Sequence, residues 1–184
     1  MLGPWDRAVF HWINHDLQSG LLDPVFWFFS LGVKETWLRL SLAALALLLL
    51  FDSRRRPAVV QALLAFPLAN LLSDAFKRGL PFPRPPAELA DAHVMGPLLT
   101  SAGTMSAHAA NMAAVATVFW LRCGKGWGGA WTLVAFLTGV SRIYVGAHYP
   151  SQVILGWAGG ALCGFVICKV WDLIRTRRSL QRTG

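Results

Sequence analysis

The stretch GVSRIYVGAHYPSQ, residues 139–152, lies between two long apolar runs of the sequence. Gly146 suits a sharp bend, and Pro150 suits the first position of the helix that follows. His148 therefore lies at the mouth of that helix. Arg142 ends the preceding helix and comes close to His148 because the chain turns back between them. We predict a helical hairpin whose turn carries a cation and an imidazole.

Two further polar segments lie beside apolar runs in the same way. One contains Lys77 and Arg84, and the other contains Ser106 and His108. Charged side chains next to hydrocarbon cost several kcal/mol unless they have a partner or a task. We therefore expect the three polar segments to meet and to form a site for an anionic ligand.

The composition excludes an ordinary soluble fold. Of the 184 residues, 55% are hydrophobic and 14% are charged, and the mean hydropathy is +0.47. We predict a single domain, residues 1–184, with an all-α fold: a polytopic membrane bundle of about five transmembrane helices. The net charge of +8 does not indicate nucleic-acid binding, because the cations fall in short loops between apolar runs. The candidate spans are Trp37–Phe51, which we expect to extend back towards Lys34, and Pro57–Phe76, Ala107–Leu121, Gly129–Gly146 and Pro150–Trp171.

Residues 1–34 are predicted to form an amphipathic interfacial segment on the membrane surface. Asp6 and Arg7 fall where a cleavable signal peptide needs an apolar core, so we expect this segment to be retained. A helix packed on the protein's own spans is the alternative. The apolar residues that recur at helical spacing are Trp5, Val9, Trp12, Ile13 and Leu17.

The distribution of cations predicts the orientation in the membrane. Most of the 17 cations follow the first or third span or close the chain, on one side if five spans alternate. The positive-inside rule makes that side cytoplasmic, with residues 172–184 as a basic cytoplasmic tail. The site and the loop 77–105 then lie on the periplasmic or extracellular face of the cell (inner) membrane. The cations are Arg54, Arg55, Arg56, Arg122, Lys125, Lys169, Arg175, Arg177, Arg178 and Arg182.

The last span carries a ladder of glycines, Gly156, Gly160 and Gly164. Small residues at this spacing allow two helices to approach closely. We expect the ladder to pack within the monomer, and a dimer through the same residues is the alternative.

The residue types in the polar segments are those that phosphoryl transfer needs. A catalyst of that reaction surrounds the phosphate oxygens with fixed positive charge and hydrogen-bond donors. Lys77, Arg84 and Arg142 are the available cations, and the planar fork of Arg84 suits phosphate. Snorkelling to the interface is the alternative for Lys77 or Arg84 taken alone. The proline-rich loop 77–105 lacks periodicity, so we expect an irregular cap over the site.

The two histidines are candidates for an acid and a nucleophile. Thr104 or Ser106 can cap the next helix, whose positive end then faces the phosphate. His108, in the first turn, can be the general acid for the leaving oxygen, although a lone histidine there is more often a structural hydrogen-bonding residue. Gln152 lies four residues after His148, where its oxygen can accept a hydrogen bond from one ring nitrogen and leave the other to attack phosphorus.

Together these segments resemble the signature KxxxxxxRP, PSGH, SRxxxxxHxxxD of the type-2 phosphatidic acid phosphatase (PAP2) superfamily. The resemblance covers about residues 21–173. It implies an all-helical membrane phosphatase that uses no metal or other cofactor, in which His148 forms a phosphohistidine and His108 protonates the leaving group. The residues that would hold the phosphate are Lys77, Arg84, Ser106, Arg142 and the backbone N–H groups near Ala107.

The sequence departs from this signature in two places. Met105 and Ala107 replace Pro and Gly, which keeps the backbone N–H but adds a methyl group to the pocket. Gln152 stands where most members have Asp, and a neutral amide can orient His148 but cannot stabilise its cationic form by charge. We still expect activity, because the glucose-6-phosphatase branch of the superfamily is similar in having Gln there.

The resemblance and the membrane context lead us to expect a lipid-phosphate phosphatase. Its partners would be the bilayer and a phosphorylated lipid, with the chain between helices and the headgroup in the basic pocket. Phosphatidylglycerol phosphate, undecaprenyl pyrophosphate and lipid A phosphates are candidate substrates, and the sequence does not choose among them. One alternative is transfer of the phosphate to a second lipid. The other is non-catalytic binding or transport of a phospholipid, although a pure binder has no need of two histidines.

Overall fold

The structure, a computed structural model, describes residues 3–183, with the backbone alone at positions 182 and 183. Gly184 and the side chain of Arg182, both in the predicted basic tail, lie outside the described part. Residues 3–183 contain helices and no strand, which confirms the predicted all-α class. The helices are α1 Pro4–His11, α2 Leu22–Ser30, α3 Thr36–Phe51, α4 Arg56–Gly79, α5 Pro85–Glu88, α6 Ala107–Tyr144 and α7 Pro150–Thr183, with a π-helical turn Trp12–Asp16 and a 3₁₀ turn Gly32–Lys34.

Two of the described helices, α4 and the Pro150–Gln181 part of α7, are long and apolar enough to cross a membrane. The apolar helix α3 has only 16 residues, about 24 Å, against a hydrocarbon core of about 30 Å. The helix begins at Thr36, one residue before the predicted start, and its extension towards Lys34 stops there because Glu35 has an extended backbone. The count of five spans stays a prediction.

The third and fourth predicted spans are the two arms of α6. Gly124 has φ 79° and ψ −171°, a backbone that favours glycine and breaks the helix into arms 107–123 and 125–144. The indole Nε1 of Trp120 in the first arm donates to Thr132 Oγ1 in the second at 2.7 Å. The arms therefore form a hairpin that returns the end of α6 towards its start.

The glycine ladder of α7 packs against the first arm of α6. A Cβ atom built on Gly160 would lie 2.0 Å from the carbonyl oxygen of Ala110. One built on Gly156 or Gly164 would lie 2.6 Å from the carbonyl oxygen that it faces. No side chain fits at these contacts. The ladder therefore packs within the chain, as expected from the sequence.

The N-terminal helix α1 packs on the bundle, which is the alternative interpretation of this segment. Phe10 and Ile13 are buried, whereas Trp5 and Trp12 are exposed. Asp6 is fully buried and accepts hydrogen bonds from the backbone N and the hydroxyl of a serine in the first turn of α7, at 2.8 and 2.6 Å. Contact of the exposed tryptophans with a membrane surface stays a prediction.

The segments rich in cations meet at one end of the bundle. Arg122 donates to Gln61 Oε1 at 2.7 Å and forms an ion pair with Asp172 at 2.8 Å. The guanidinium of Arg55 lies over the ring of Trp127, 5.2 Å from its centre. The three polar segments identified in the sequence lie at the other end. The predicted tail 172–184 continues helix α7 as far as Thr183.

The predicted outer loop is shorter than residues 77–105. Helix α4 runs to Gly79, so Lys77 lies in its last turn, and the four-residue helix α5 follows. The rest of the loop, up to Ser106, has no regular structure.

Candidate active site

The structure brings most of the predicted site residues together in a buried cluster. Arg84, Ser106, Arg142, His148 and Gln152 are all between 0% and 6% exposed. Ala107 and His108 are partly buried, and the side chain of Lys77 is 19% exposed. This cluster lies where α4, the loop, the start of α6 and the α6–α7 turn meet.

The α6–α7 turn has the predicted bend and helix start. Gly146 has φ 74°, and a Cβ there would lie 2.5 Å from the carbonyl oxygen of His93. The backbone N–H groups of Ala147 and His148 donate to the carbonyl oxygen of Arg142 at 3.0 and 3.1 Å. Helix α7 begins at Pro150. The turn thus fixes His148 close to the end of α6.

The surroundings of His148 select one tautomer of its ring. Nδ1 lies 3.0 Å from the carbonyl oxygen of Gly103 and 3.0 Å from Gln152 Oε1. Both atoms are acceptors, so Nδ1 carries the proton and Nε2 carries the lone pair. Nε2 accepts a hydrogen bond from Arg84 Nη1 at 3.0 Å. Burial lowers the pKa of His148 well below its usual value, and Arg84 and Arg142 lower it further, so the ring is neutral at neutral pH.

The amide of Gln152 is itself held in one orientation. Its Nε2 donates to the carbonyl oxygen of Pro83 at 2.8 Å, and its Oε1 accepts from the backbone N of Tyr149 at 3.2 Å. A Cβ on Gly103 would lie 2.7 Å from Gln152 Oε1 and 2.8 Å from Arg84 Cγ. Only glycine lets the loop carbonyl approach His148 this closely. The sequence analysis did not identify Gly103. The one feature that pointed to it was a glycine two residues before the segment Met105–His108.

Arg84 joins the loop to the α6–α7 turn. Its Nε and Nη2 donate to the carbonyl oxygen and hydroxyl of Ser101, at 2.7 and 3.1 Å, and Nη2 also donates to the carbonyl of Ala102. Nη1 donates to the carbonyl of Ala147 at 2.9 Å and to His148 Nε2. All five N–H donors of Arg84 therefore have an acceptor. A bound phosphate can replace His148 Nε2 as the acceptor of one of them.

Arg142, in contrast, has an N–H donor without an acceptor. Its Nη1 donates to the hydroxyl of Ser30, a fully buried residue of α2. Its Nε is buried and has no hydrogen-bond partner among the described residues. A buried donor without an acceptor costs about 1–3 kcal/mol, so an anion that accepts from Arg142 removes that penalty. Neither Ser30 nor Ser101 was identified from the sequence.

The start of α6 supplies the expected helix N-terminus. Of the two candidate caps, Ser106 is the one used, because its Oγ accepts from the backbone N of Ala109 at 3.5 Å. The hydroxyl of Thr104 instead accepts from the backbone N of Phe82 at 3.1 Å. The first N–H groups of a helix have no partner within it and attract anions. Ala107 lies in this first turn, as expected.

Four cations lie near enough to His108 to act on its imidazole by their charge. They are Arg142, Lys34, Lys77 and Arg84. The ammonium of Lys77 also contacts Asp74 Oδ1 at 3.3 Å. Lys34 is the one member of this group that the sequence reasoning did not connect with the site.

One possible metal-ligand group lies elsewhere in the described residues. The ligand atoms of His11, His15 and Asp91 lie within 4.8 Å of one another, near the surface. It includes neither His108 nor His148. The surroundings of those two histidines are cationic and suit an anion rather than a metal ion.

Comparisons with known proteins agree with this architecture. A family model described as the PAP2 superfamily matches residues 58–175. A curated undecaprenyl-diphosphatase from Sulfolobus acidocaldarius is 26% identical over 162 residues, which is 88% of this chain and 76% of the relative. The crystal structure of Aquifex aeolicus LpxE superposes with a TM-score of 0.75 and 29% identity, over 91% of this chain and 96% of that one.

A second crystal structure shows the same fold. It is that of a transmembrane PAP2-type phosphatidylglycerolphosphate phosphatase from Bacillus subtilis, with a TM-score of 0.72 and 20% identity, over 92% of this chain and 86% of that one. The fold and the comparisons together define a helical membrane phosphatase, a hydrolase of phosphate esters. The chain belongs to the PAP2 superfamily.

Proposed function

We propose that this protein hydrolyses the terminal phosphate of a membrane lipid, with Nε2 of His148 as the nucleophile. The observation that carries the proposal is the pairing of Nδ1 with two acceptors, Gly103 O and Gln152 Oε1, each at 3.0 Å. Because Nδ1 keeps the proton, the lone pair is on Nε2. A neutral imidazole in this tautomer is the form that attacks phosphorus.

The first step forms a phosphohistidine. Phosphate oxygens take over the N–H that Arg84 donates to Nε2 and accept from the unused donor of Arg142. The Nε2 lone pair then forms a bond to phosphorus while the bond from phosphorus to the leaving oxygen breaks. His108 gives a proton to that oxygen, and the bound dianion favours the protonated form of His108 that this requires.

The second step regenerates the enzyme. Water attacks phosphorus, and the bond between Nε2 and phosphorus breaks. His108, now neutral, accepts the proton of the water molecule. Inorganic phosphate leaves, so the protons balance over the two steps. Lys77, Ser106 and the N–H groups near Ala107 contribute positive potential and donors around the transferred group.

An apolar groove beside the site suits the lipid chain. It has a volume of about 350 Å³ and runs between α3, α4 and α6. Met112, one turn after His108, and Thr138, one turn before Arg142, line its end near the site. Leu49 and Val59 line its far end. A lipid with its headgroup at His148 can therefore lay its chain along this groove.

The substrate we propose is a lipid phosphomonoester or pyrophosphate. Phosphatidylglycerol phosphate, undecaprenyl pyrophosphate and lipid A phosphates remain the candidate lipids. The name of the relative from Sulfolobus acidocaldarius, an undecaprenyl-diphosphatase, supports a polyprenyl diphosphate among these.

Phosphate release from these three lipids in detergent tests the proposed function. We expect release from at least one of them without added metal, and we expect EDTA to leave the rate unchanged. Loss of activity in EDTA would contradict the metal-independent mechanism. Binding without release would favour a carrier or sensor, and labelling of a second lipid would identify a phosphotransferase.

We also propose five spans and an outward-facing site. The spans are α3, α4, the two arms of α6, and α7. The contacts of Arg122 with Asp172 and of Arg55 with Trp127 support a common cytoplasmic end for the cationic segments. The site then faces the periplasm or the outside, and the C-terminus is cytoplasmic.

Cysteine labelling tests this orientation in a variant that lacks Cys123, Cys163 and Cys168. We expect Asp91→Cys to react with an impermeant thiol reagent added outside intact cells. Ser53→Cys, at the cationic end, should react only after the membrane is opened. Both positions are exposed in the protein. The opposite pattern would place the site in the cytoplasm.

A further inference from the structure

Lys34 is a cation at the mouth of the site that the family signature does not contain. It ends the 3₁₀ turn Gly32–Lys34 and lies outside the matched residues 58–175. A small pocket is lined by Lys34 together with Arg84 and Arg142. Lys34 is exposed and has no carboxylate partner among the described residues. Its charge is therefore available to a ligand in that pocket.

The pocket that Lys34 lines is also lined by Arg84 and Arg142, the two arginines that we expect to hold the transferred phosphate. The charge of Lys34 also acts on His108, the proposed acid for the leaving oxygen. A second phosphate next to the transferred one would therefore lie in the same pocket as Lys34.

The path of the lipid chain leads past the same residue. Val33, next to Lys34, lines the apolar groove, and Met112, one turn after His108, lines it as well. The leaving group joins the transferred phosphoryl group at His148 to the chain in this groove. It therefore runs along the segment that carries Lys34.

We propose that Lys34 binds a phosphate within the leaving group, so that the enzyme prefers lipid diphosphates to lipid monophosphates. This inference rests on the proposed function. In a diphosphate, His148 bonds to the terminal phosphorus, the anhydride bond breaks, and the bridging oxygen leaves on a lipid monophosphate. Lys34 pairs with the negative charge of that product, and His108 supplies its proton. A monophosphate leaves a neutral alcohol, which offers Lys34 no charge.

The balance of charge near the site supports this assignment. Lys34, Lys77, Arg84 and Arg142 all act on His108, and Asp74 is the one carboxylate that pairs with any of them among the described residues. Crowding of like charges is unfavourable unless an anion lies between them. A diphosphate carries more negative charge into this group than a monophosphate does.

Farnesyl diphosphate and farnesyl monophosphate test the proposal, because they share one chain and differ in the charge of the leaving group. We expect Lys34→Met to lower the ratio of kcat/KM for diphosphate over monophosphate about tenfold. Lys34→Arg should restore most of that ratio. Arg39→Met is the matched control: Arg39 is an exposed cation of α3 that does not line the pocket, so the ratio should stay unchanged.

A second measurement keeps the proposal independent of turnover. The dissociation constant of inorganic diphosphate, measured by titration calorimetry, should rise about tenfold in Lys34→Met, and that of inorganic phosphate should change less than about threefold. Equal changes for both substrates and both anions, or the same effect in Arg39→Met, would overturn the role of Lys34. If the wild type released phosphate from no lipid, the proposed function would fail, and the dissociation constants would still decide whether Lys34 recognises the second phosphate.

Discussion

His148→Ala is expected to lower the rate of phosphate release by at least about 10³-fold, because it removes the nucleophile of a covalent mechanism. The wild type should also acquire a phosphoryl label that is labile in acid and stable in base when it is quenched during turnover with a labelled substrate. This label should be absent from His148→Ala. The measurement is single-turnover phosphate release together with the label retained on the protein.

A matched histidine substitution separates catalysis from folding. His93 lies in the loop between α5 and α6, its side chain is exposed, and its backbone hydrogen bonds to Asn14 survive substitution. His93→Ala should therefore retain most of the activity. Turnover or labelling that persisted in His148→Ala would rule out the phosphohistidine.

Gln152→Leu is expected to lower kcat about 10²-fold. Leucine has a similar volume but cannot accept from His148 Nδ1 or donate to the carbonyl of Pro83. The imidazole therefore loses one of the two acceptors that orient its Nδ1. The carbonyl of Gly103 still accepts from Nδ1, which keeps the tautomer and makes the loss smaller than that of His148→Ala. Steady-state kinetics with the preferred lipid, alongside the melting temperature, measure the effect.

Gln152→Glu is the control for this position. Glutamate keeps the acceptor and the length of the side chain but gives up the donor to Pro83, so we expect a rate within about tenfold of the wild type. Full activity in Gln152→Leu would mean that Gly103 alone orients His148. Equal losses in both variants would shift the role of Gln152 to the bond with Pro83.

The sequence predicted the parts of the site that rest on local geometry. Gly146 and Pro150 define the turn, and Gln152 lies one helical turn beyond His148, so their relation follows from backbone rules. The same kind of local rule limited the predicted N-cap of α6 to Thr104 or Ser106. Roles of these residues in catalysis stay predictions until the variants are measured.

The parts that were missed depend on contacts between residues far apart in the sequence. Gly103 acts through its backbone carbonyl and Ser101 through an irregular loop, where no periodicity gives a signal. Ser30 contacts Arg142 across more than one hundred residues. Such pairings become visible only when the chain is folded.

The N-terminal helix illustrates a second limit. Amphipathic spacing indicates that one face is apolar but not whether that face meets lipid or protein. Phe10 of α1, which is not among the predicted apolar residues, is buried, while Trp5 and Trp12 of the predicted face are exposed.

The N-terminal segment supports parts of α6 and α7 that lie next to the site. Asp6 supports the first turn of α7, Asn14 donates to the carbonyl oxygen of Tyr144 at 2.7 Å, and Ser30 holds Arg142. All three precede the portion shared with the superfamily, which begins at residue 58. Trimming the chain to that portion would keep every signature residue and still remove the hydroxyl that holds Arg142 and the side chains that support Tyr144 and the first turn of α7.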